Sequence, residues 1–435
     1  MLRLPRALAA HPDYTLDLGL VALASLLFRL PWVIIVKHGV VWDSTFYYYA
    51  AKSIAAGNGY SILGHATAFF PVGWPGFLGI AFAITGPSLW TIMVLNLILW
   101  SITAALAYLL GRRLGGRAAG IVAGLIIAVS PEMTLYVLRA YSEALFIPLL
   151  LGACLFLVWR RETPTLRMAS LAGICLGLAI LVRSTAIPLP FLLPLWLLVR
   201  NPWRESWRSA VALCLVSCAV VSPWLIRNAI VMHSPLLSTN GGYTLWIGNH
   251  LPPQPGQRRP HSWAIDSVHA EVSQNSELTR ASFSFMVHHT GTWLGRVPHK
   301  FEALMGWNDS PITNALRFQY QPDPRGRLTY HDPATLTGAE GTLIRGALDN
   351  TWIFRAWHYA FWILGGLAML LALWRRKPAA GLVLLLVGFW ILFHSFFFFG
   401  DVRFMISVAP LVAAPLAWML VETAASAKKG LALLR

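Results

Sequence analysis

The segment Val41-Trp-Asp-Ser-Thr-Phe-Tyr-Tyr-Tyr-Ala-Ala-Lys-Ser-Ile-Ala-Ala-Gly-Asn-Gly-Tyr60 directly follows the first long apolar run of the chain, residues 17–37. An apolar run of about 20 residues is the length that a helix needs to cross a bilayer. The segment therefore places one carboxylate, Asp43, just beyond the end of a predicted membrane span. Its composition predicts a helix over 44–56, and its aromatic side chains, Tyr47 among them, suit a helix that lies in the membrane interface.

Apolar runs of similar length recur along the 435-residue chain, in which 57% of the residues are hydrophobic and 12% are charged. This composition is typical of an integral membrane protein. About ten runs predict membrane-spanning helices, of which the third and the fifth are short for a full crossing. They cover roughly 17–37, 88–110, 118–131, 141–159, 168–182, 185–199, 209–226, 352–374, 379–398 and 403–422. The predicted fold class is an all-α integral membrane bundle of about ten transmembrane helices.

Basic residues cluster in every second connection between these runs. The clusters are Arg3 and Arg6; Arg112, Arg113 and Arg117; Arg160, Arg161 and Arg167; Arg200, Arg204 and Arg208; Arg375, Arg376 and Lys377; and Lys428, Lys429 and Arg435. Short cytoplasmic loops carry an excess of Lys and Arg, so this alternation predicts that both termini are cytoplasmic. The net charge of +16 is then a topology signal that favours membrane lipids, and not nucleic acid, as partners.

The predicted organisation has three regions. Residues 1–232 hold seven spans and a first outer connection, 38–87, with interfacial helices and an irregular turn at Pro71-Val-Gly-Trp-Pro-Gly76. Residues 233–350 form one long outer loop, and 351–435 hold the last three spans. Within the long loop, amphipathic patterns predict helices over 265–289 and 292–306, whereas the Pro, Gly, Asp and Arg content of 308–348 predicts a loop.

Five charged residues stand at the outer ends of separate spans: Asp43, Glu143, Arg183, Arg227 and Arg403. Charges beside lipid are costly to keep without a use, so their shared side of the membrane predicts a site. Asp43 is a candidate general base, and the alternative is a cap for the helix that begins near Ser44. Glu143 is a candidate second acid, and the alternative is a structural charge at the positive end of its helix.

The three arginines of this set suit an anionic substrate, because a guanidinium binds phosphate through two parallel hydrogen bonds. The alternatives are contacts with lipid head groups and, for Arg403, a local pair with Asp401. The segment Asn240-Gly-Gly-Tyr-Thr-Leu-Trp-Ile-Gly-Asn249 permits a close approach of backbone to ligand, and a plain turn is the alternative.

Several common constellations are missing from the sequence. It has no HExxH motif or His/Cys ligand spacing that would indicate zinc, and no Walker A loop that would indicate ATP. The four cysteines all fall inside predicted spans and form no CxxC pair. No cofactor is indicated.

In order along the chain, these motifs resemble those of the GT-C superfamily of membrane glycosyltransferases. The resemblance is nearest to the protein O-mannosyltransferase and aminoarabinose transferase branch. It is carried by Trp42-Asp43, Gly57-Asn-Gly-Tyr60, Pro71-Val-Gly-Trp-Pro-Gly76, Ser142-Glu-Ala-Leu-Phe146, Leu181-Val-Arg183, Pro223-Trp-Leu-Ile-Arg-Asn228, Leu245-Trp-Ile-Gly-Asn249 and Gly400-Asp-Val-Arg403.

The resemblance implies a sugar donor linked to a polyprenyl phosphate, with Asp43 as the catalytic acid of the first outer loop. Arg183, Arg227 and Arg403 would contact the donor phosphate, and Tyr47, Asn228 and Asn249 would contact substrate elsewhere. Many relatives carry Asp-Glu in the first loop, whereas Ser44 follows Asp43 here. The residue pattern therefore does not indicate a divalent metal held by paired acids, although such a metal stays an alternative.

The predicted function is a glycosyltransferase of the bacterial inner membrane whose active site is extracytoplasmic. The acceptor is a hydroxyl group of a lipid, glycan or protein, and the family implies inversion at the anomeric carbon. Two alternatives share the many spans: a lipid or glycolipid transporter or flippase, and an assembly protein whose long outer loop binds a partner. A transporter favours charges near the bilayer midplane, whereas these charges lie at span ends.

Overall fold

The computed structural model describes residues 12–36, 39–40, 42–159, 163–250, 267–307, 316, 318–319, 329–330, 335–377 and 379–433. Most of these residues are helical. The basic residues predicted at 3, 6, 160, 161 and 435, and most of the predicted loop 308–348, lie outside this set.

The first region contains the following elements: α1 (Pro12–Ile35), α2 (Asp43–Ala55), β1 (Ser61–Ile62), β2 (His65–Ala66), α3 (Gly73–Thr85), α4 (Leu89–Ala128), α5 (Pro131–Leu135), a 3-10 turn (Tyr136–Leu138), α6 (Glu143–Val158), α7 (Leu166–Val182), a 3-10 turn (Ser184–Ala186), α8 (Leu189–Arg200) and α9 (Trp203–Val231). The long outer connection contains α10 (Asn240–Gly248), α11 (Val268–His288), α12 (Thr290–Gly295), α13 (Val297–Met305), β3 (Phe318–Gln319), β4 (Thr329–Tyr330) and α14 (Gly338–Asp349). The last region contains α15 (Thr351–Trp374), α16 (Ala380–Phe396), α17 (Val402–Ile406) and α18 (Ala409–Leu433).

The predicted fold class, a helical membrane bundle, is confirmed. Five described helices are long and apolar enough to cross a membrane: α1, α4, α9, α15 and α18. Shorter apolar helices match four further predicted runs, namely α6, α7, α8 and α16, and the third predicted run, 118–131, falls largely in the second arm of α4. The number of complete crossings stays a prediction.

The helix α4 is a hairpin of two packed arms, 89–114 and 117–128. The chain leaves helical geometry at Gly115 and Gly116, where Gly116 has φ +81°. A Cβ on Gly111 would lie 2.6 Å from the Cβ of Ala123. Residues twelve apart in one straight helix are about 18 Å apart, so the chain must turn back here. The small residues along both arms permit this close approach, as in membrane helix pairs generally.

The short arm 117–128 ends inside the bundle, and the buried Arg29 of α1 satisfies its last carbonyls. Arg29 Nη1 donates to the carbonyl of Ala128 at 2.7 Å, and Nη2 donates to that of Ile127 at 2.9 Å. Carbonyl groups at a helix end have no partner within the helix, and none is available from lipid. Arg29 is therefore a structural charge.

The first outer connection is folded. α2 begins at Asp43 and ends at Ala55, close to the predicted range 44–56. A two-stranded antiparallel hairpin, β1–β2, follows it. The predicted irregular turn at 71–76 is wrong in part, because α3 already begins at Gly73. Pro75 falls in the first turn of α3, where a proline costs no helical hydrogen bond.

The long outer connection departs from prediction at two points. The predicted helix 292–306 is broken at Arg296, between α12 and α13. Part of the predicted loop 308–348 is helical, since α14 covers Gly338–Asp349. Apolar residues at helical spacing in that stretch, Ile344 and Ala347, are buried despite its glycines. α11 agrees with the predicted helix 265–289 over its described part.

Candidate active site

A cavity of about 510 Å³ lies at the end of the bundle where α2, α6 and α17 begin and α7 ends. Residues of both outer connections line this cavity. Its lining includes Trp42, Asp43, Tyr47, Phe69, Phe70, Tyr136, Arg139, Tyr141, Ser142, Arg183, Ser184, Thr185, Asn240, Tyr243, Thr244, His394, Asp401 and Arg403. Its volume is within the range of small-molecule sites.

Arg403 bridges two carboxylates that lie far apart in the sequence. Its Nη1 donates to Asp43 Oδ2 at 2.8 Å. Its Nε and Nη2 donate to Glu143 Oε1 and Oε2 at 2.7 and 3.3 Å. The guanidinium also stacks on the ring of Tyr141, 3.8 Å from the centroid. This planar fork holds two acids at one edge of the cavity, a geometry that lysine cannot reproduce.

Glu143 is the buried centre of the charge cluster. Its side chain is 0% exposed, and Arg183 Nη1 lies 2.8 Å from its Oε1. Arg183 also donates to Ser142 Oγ at 3.2 Å. Glu143 is enclosed by two arginines and is not among the residues that line the cavity. Asp43, in contrast, has a side chain that is 34% exposed.

The predicted local ion pair between Asp401 and Arg403 does not form. Asp401 Oδ1 instead accepts from the backbone N–H of Arg403 at 2.9 Å and caps α17. The Arg403 side chain is thereby directed to Asp43 and Glu143. Burial raises the pKa of the Asp401 carboxyl above its usual range.

Asp43 is not the cap of α2. It is the first residue of that helix, the preceding residue is Trp42, and no side-chain hydrogen bond caps the helix. Trp42 has φ +50°, a left-handed conformation that is strained for a residue with a side chain. Such strain clusters at functional sites, and here it directly precedes Asp43, the predicted base, which lines the cavity.

Tyr47 lies in the cavity wall, one turn along α2 from Asp43. Its ring packs against Phe70 at 4.9 Å between centroids. Burial raises the pKa of the Tyr47 hydroxyl, and the charge of Asp43 raises it further. Tyr47 therefore stays a neutral hydroxyl beside the acid.

Arg227 and Asn228 lie outside the cavity lining. Arg227 Nη1 and Nη2 donate to the carbonyls of Thr67 and Tyr60 at 2.9 and 3.1 Å. Asn228 Oδ1 accepts from Arg227, and its Nδ2 donates to the carbonyl of Leu236. Arg227 thus ties α9 to the first outer connection, whose Phe69 and Phe70 line the cavity, and Asn228 ties α9 to the segment that follows it.

Asn249 is also set back from the cavity. Its Oδ1 accepts from the Lys300 ammonium at 2.8 Å, and its Nδ2 donates to the carbonyls of Leu245 and Phe397. Lys300 is buried, and burial lowers the pKa of its ammonium below the usual range. These hydrogen bonds connect α10, α13 and the segment that follows α16.

Glu271, which was not predicted as a site residue, holds the cavity wall in place. This carboxylate is 2% exposed. Its Oε1 accepts from Ala68 N–H at 2.9 Å and from Thr239 Oγ1 at 2.6 Å, and its Oε2 accepts from Thr67 Oγ1 at 2.7 Å. α11 of the long outer connection is thereby docked onto the first. The only signal in the sequence is an acid within an amphipathic helix, which is more typical of a solvated face.

Arg139 and Thr185 also line the cavity without having been predicted as site residues. Arg139 is buried and donates from Nη1 to the carbonyl of Gly39 at 2.9 Å, just before α2. Thr185 has a buried Oγ1 without a hydrogen-bond partner among the described residues. Both lie close to predicted site residues, because Arg139 shortly precedes Glu143 and Thr185 shortly follows Arg183.

No group of three or more His, Cys, Asp or Glu side chains among the described residues has the arrangement of a metal site. The two carboxylates that might have shared a cation, Asp43 and Glu143, are joined by the guanidinium of Arg403.

Comparison with protein families gives one match. The family described as dolichyl-phosphate-mannose-protein mannosyltransferase matches residues 71–226, less than half of the chain. This range contains Glu143 and Arg183, and it excludes Asp43 and Arg403. No protein with a curated description matches the sequence.

Solved structures match over nearly the whole chain. The oligosaccharyltransferase AglB from Archaeoglobus fulgidus, in complex with an inhibitory peptide and a dolichol-phosphate, has 13% identity and a TM-score of 0.53 over 97% of this chain. The same enzyme tethered to an acceptor peptide has 14% identity and a TM-score of 0.50 over 94% of this chain and 49% of its own. ArnT from Cupriavidus metallidurans, bound to undecaprenyl phosphate, has 12% identity and a TM-score of 0.43 over 92% of this chain and 77% of its own.

The chain spans about half the length of AglB, 52% of that protein. At such low identity, the likeness establishes the fold alone. The predicted resemblance to GT-C membrane glycosyltransferases is confirmed, because the chain has the fold of the Archaeoglobus fulgidus oligosaccharyltransferase and carries, over residues 71–226, the sequence pattern of the dolichyl-phosphate-mannose-protein mannosyltransferases.

Proposed function

We propose that this protein is a membrane glycosyltransferase that moves a sugar from a polyprenyl-phosphate donor to a hydroxyl acceptor, on the extracytoplasmic face of a bacterial inner membrane. The observation that carries the proposal is the pairing of Asp43 with Arg403 at the edge of a cavity that Arg183 also lines. A base for a hydroxyl proton and cations for a phosphate are the two kinds of group that this transfer requires.

Three observations support a polyprenyl-phosphate sugar as the donor. The arginines suit a phosphate, and the surrounding apolar helices suit a long isoprenoid chain beside it. The matching family is named for a dolichyl-phosphate-linked mannose, and the AglB structure contains a dolichol-phosphate. The basic clusters of the alternate connections support an outer location for the cavity, where nucleotide sugars are not expected.

The reaction is a direct displacement. Asp43 takes the proton of the acceptor hydroxyl while its oxygen attacks the anomeric carbon. The bond between that carbon and the phosphate oxygen breaks, and its electron pair leaves with the polyprenyl phosphate. Attack from the face opposite the leaving group inverts the anomeric centre. Negative charge grows on the phosphate as the bond breaks, which is where fixed cations accelerate the reaction most.

Arg183 is better placed than Arg403 to contact the donor phosphate. Arg403 is shared between two carboxylates, whereas Glu143 is the one carboxylate that pairs with Arg183 among the described residues, and the cavity-lining Ser184 and Thr185 follow Arg183. The Oγ1 of Thr185 has no partner among the described residues, so it is available as a donor. Arg403 then positions Asp43, and Glu143 fixes the spacing of both arginines.

The acceptor approaches past the long outer connection. Its α10 contributes Asn240, Tyr243 and Thr244 to the cavity, and Glu271 of α11 binds Thr67 and Ala68, next to the cavity-lining Phe69 and Phe70. These polar and aromatic groups suit a hydroxyl-bearing acceptor from a lipid, glycan or protein. The Archaeoglobus fulgidus oligosaccharyltransferase has been tethered to an acceptor peptide, which supports a peptide as one class of acceptor.

The test is a panel of polyprenyl-phosphate sugars, labelled in the sugar and offered to the protein in lipid nanodiscs with a crude membrane extract as acceptor source. The proposal expects one donor to be consumed, with label in a new product and free polyprenyl phosphate released in equal amount. A parallel assay in proteoliposomes follows movement of intact donor across the bilayer. Translocation without any covalent change would make the protein a flippase and overturn the proposal.

A further inference from the structure

His394 is a buried histidine of α16 that has no part in the displacement reaction described above. Its side chain is 0% exposed, yet it belongs to the lining of the candidate active-site cavity. In the sequence it stands inside the apolar run 379–398, among aromatic and aliphatic residues. A polar ring at such a position costs free energy unless its nitrogens are hydrogen-bonded, and polar groups kept within spans are commonly functional.

One nitrogen of the ring has a fixed partner, and that partner sets the tautomer. His394 Nδ1 lies 2.8 Å from the carbonyl oxygen of Trp390, one turn earlier in the helix. A carbonyl oxygen can only accept, so Nδ1 carries a proton and donates. In the neutral ring Nε2 is then an acceptor with a lone pair. Among the described residues, none is hydrogen-bonded to Nε2.

Aromatic rings hold the imidazole in one orientation. The rings of Phe404, Trp390 and Phe398 lie 4.5, 5.1 and 5.7 Å from it between centroids. Trp390 is in turn held by α17, because its Nε1 donates to the carbonyl of Phe404 at 2.8 Å. A second proton on the imidazole would place a charge among these apolar rings, so the neutral ring is favoured. Nε2, at the tip of the ring, is therefore a preorganised acceptor.

His394 lies close to the cation that the proposed function assigns to the donor phosphate. The guanidinium of that residue, Arg183, lies 6.0 Å from the centroid of the Phe404 ring, and the His394 ring packs against the same Phe404. In a polyprenyl-phosphate sugar, the sugar is bonded directly to the phosphate, so its ring lies beside that cation. Asp43, in contrast, takes the proton of the acceptor hydroxyl in the proposed reaction.

A buried acceptor in the wall of a sugar site has a matching partner in a sugar hydroxyl. A hydroxyl group donates a hydrogen bond, and Nε2 can accept it without any proton transfer. A site built in this way rejects an analogue that lacks the hydroxyl, because the buried nitrogen then stays unpaired. The acceptor is fixed by packing, so it selects a hydroxyl at one position of the sugar.

We infer that His394 Nε2 accepts a hydrogen bond from one hydroxyl of the donor sugar and thereby helps to select the sugar that is transferred. The inference rests on the proposed function, because it requires a polyprenyl-phosphate sugar in the cavity. His394 is a specificity-determining residue in this assignment and transfers no proton. The general base remains Asp43.

The test measures equilibrium binding to the full-length protein in lipid nanodiscs. The ligands are undecaprenyl phosphate and its mannose, glucose and galactose derivatives, in which mannose and galactose each differ from glucose at one hydroxyl. The wild type should prefer one of the three sugars. One monodeoxy analogue of the preferred sugar should bind about tenfold more weakly, which is the cost of leaving one buried acceptor unpaired.

Two variants separate the two nitrogens of the ring. His394→Asn keeps an amide N–H near the place of Nδ1 and has no group at the place of Nε2. It should bind undecaprenyl phosphate as the wild type does, and it should bind the preferred sugar and that deoxy analogue equally. His394→Gln returns an amide oxygen at about the reach of Nε2 and should regain the preference. His269→Asn, at an exposed position of α11 outside the lining, is the matched control and should behave as the wild type.

Equal wild-type affinities for the preferred sugar and all of its deoxy analogues would overturn the inference, and this measurement needs no variant. An equal loss of discrimination in His394→Asn and His394→Gln would also overturn it, because packing would then explain the effect. Transfer of sugar by a wild type that shows no hydroxyl preference would leave the proposed function standing without a role for His394. A wild type that binds neither undecaprenyl phosphate nor its sugars would contradict the proposed function and this inference together.

Discussion

The carboxylate of Asp43 and the guanidinium of Arg403 are joined by a hydrogen bond of 2.8 Å across 360 residues of sequence. The same guanidinium holds Glu143, so the first outer connection, the start of α6 and the start of α17 are fixed to one another at a single side chain. This junction orients the candidate base and brings the Arg183 cation beside it.

Replacing Arg403 by lysine should lower the transfer rate at least about 100-fold, the usual cost of losing one fixed electrostatic contact in an active site. A single ammonium cannot bridge Asp43 and Glu143 as the planar fork does. The rate is measured in nanodiscs with the donor that the wild type consumes. Arg204→Lys, at the other end of the bundle, is the control, and an Arg403→Lys rate within twofold of it would exclude the bridging role.

Replacing Glu143 by glutamine should destabilise the protein by about 3 kcal/mol, because it removes one partner of a buried charge cluster and leaves the arginines uncompensated. The measurement is thermal unfolding in nanodiscs. Glu277→Gln, at an exposed position of α11, should change the stability by less than about 0.5 kcal/mol. Similar apparent Tm values for the two variants would contradict the central position assigned to Glu143.

Replacing Glu271 by alanine should loosen the cavity wall. The substitution leaves the donors of Thr67, Ala68 and Thr239 without their acceptor, at a cost of about 1–3 kcal/mol for each buried group left unsatisfied. We expect faster hydrogen exchange over 67–70 and 267–275 and a higher KM for the acceptor. Unchanged exchange over both segments would show that another contact docks α11.

The buried Lys300 should make stability depend on pH in the alkaline range. Burial lowers the pKa of its ammonium to about 8, whereas the unfolded chain titrates near 10.4. Between these values the unfolded state binds more protons, so stability rises with pH across that window. The apparent Tm of the wild type should therefore increase from pH 7 to pH 9.5 relative to Lys300→Met. Parallel profiles would refute the shift.

The charged ends of the apolar spans were the informative part of the sequence. An acid or arginine at the end of such a span must lie near the membrane surface, and charges on the same side of the bundle can meet there. For this reason Asp43, Glu143, Arg183 and Arg403 could be grouped before their contacts were known. The structure brings these four together, and their catalytic roles stay predictions.

The rotation of a side chain about its helix is not encoded in the span pattern, so that pattern does not predict which way a charge at the end of a span faces. Arg227 ends its span on the expected side of the bundle, yet it turns to the carbonyls of Tyr60 and Thr67. The sequence around Glu271 predicts an exposed acid, because its three hydrogen-bond partners are far from it in the sequence. A local pattern cannot reveal that α11 covers the first outer connection.

The most direct test of the account is the initial rate of label transfer by Asp43→Asn beside the wild type, with Asp349→Asn as a matched control at an exposed position of α14. The account predicts that the control transfers sugar at the wild-type rate. Asp43→Asn should lose at least about 100-fold, the range expected for removal of a general base, and should still bind polyprenyl phosphate. A rate for Asp43→Asn close to that of the wild type would contradict Asp43 as the base.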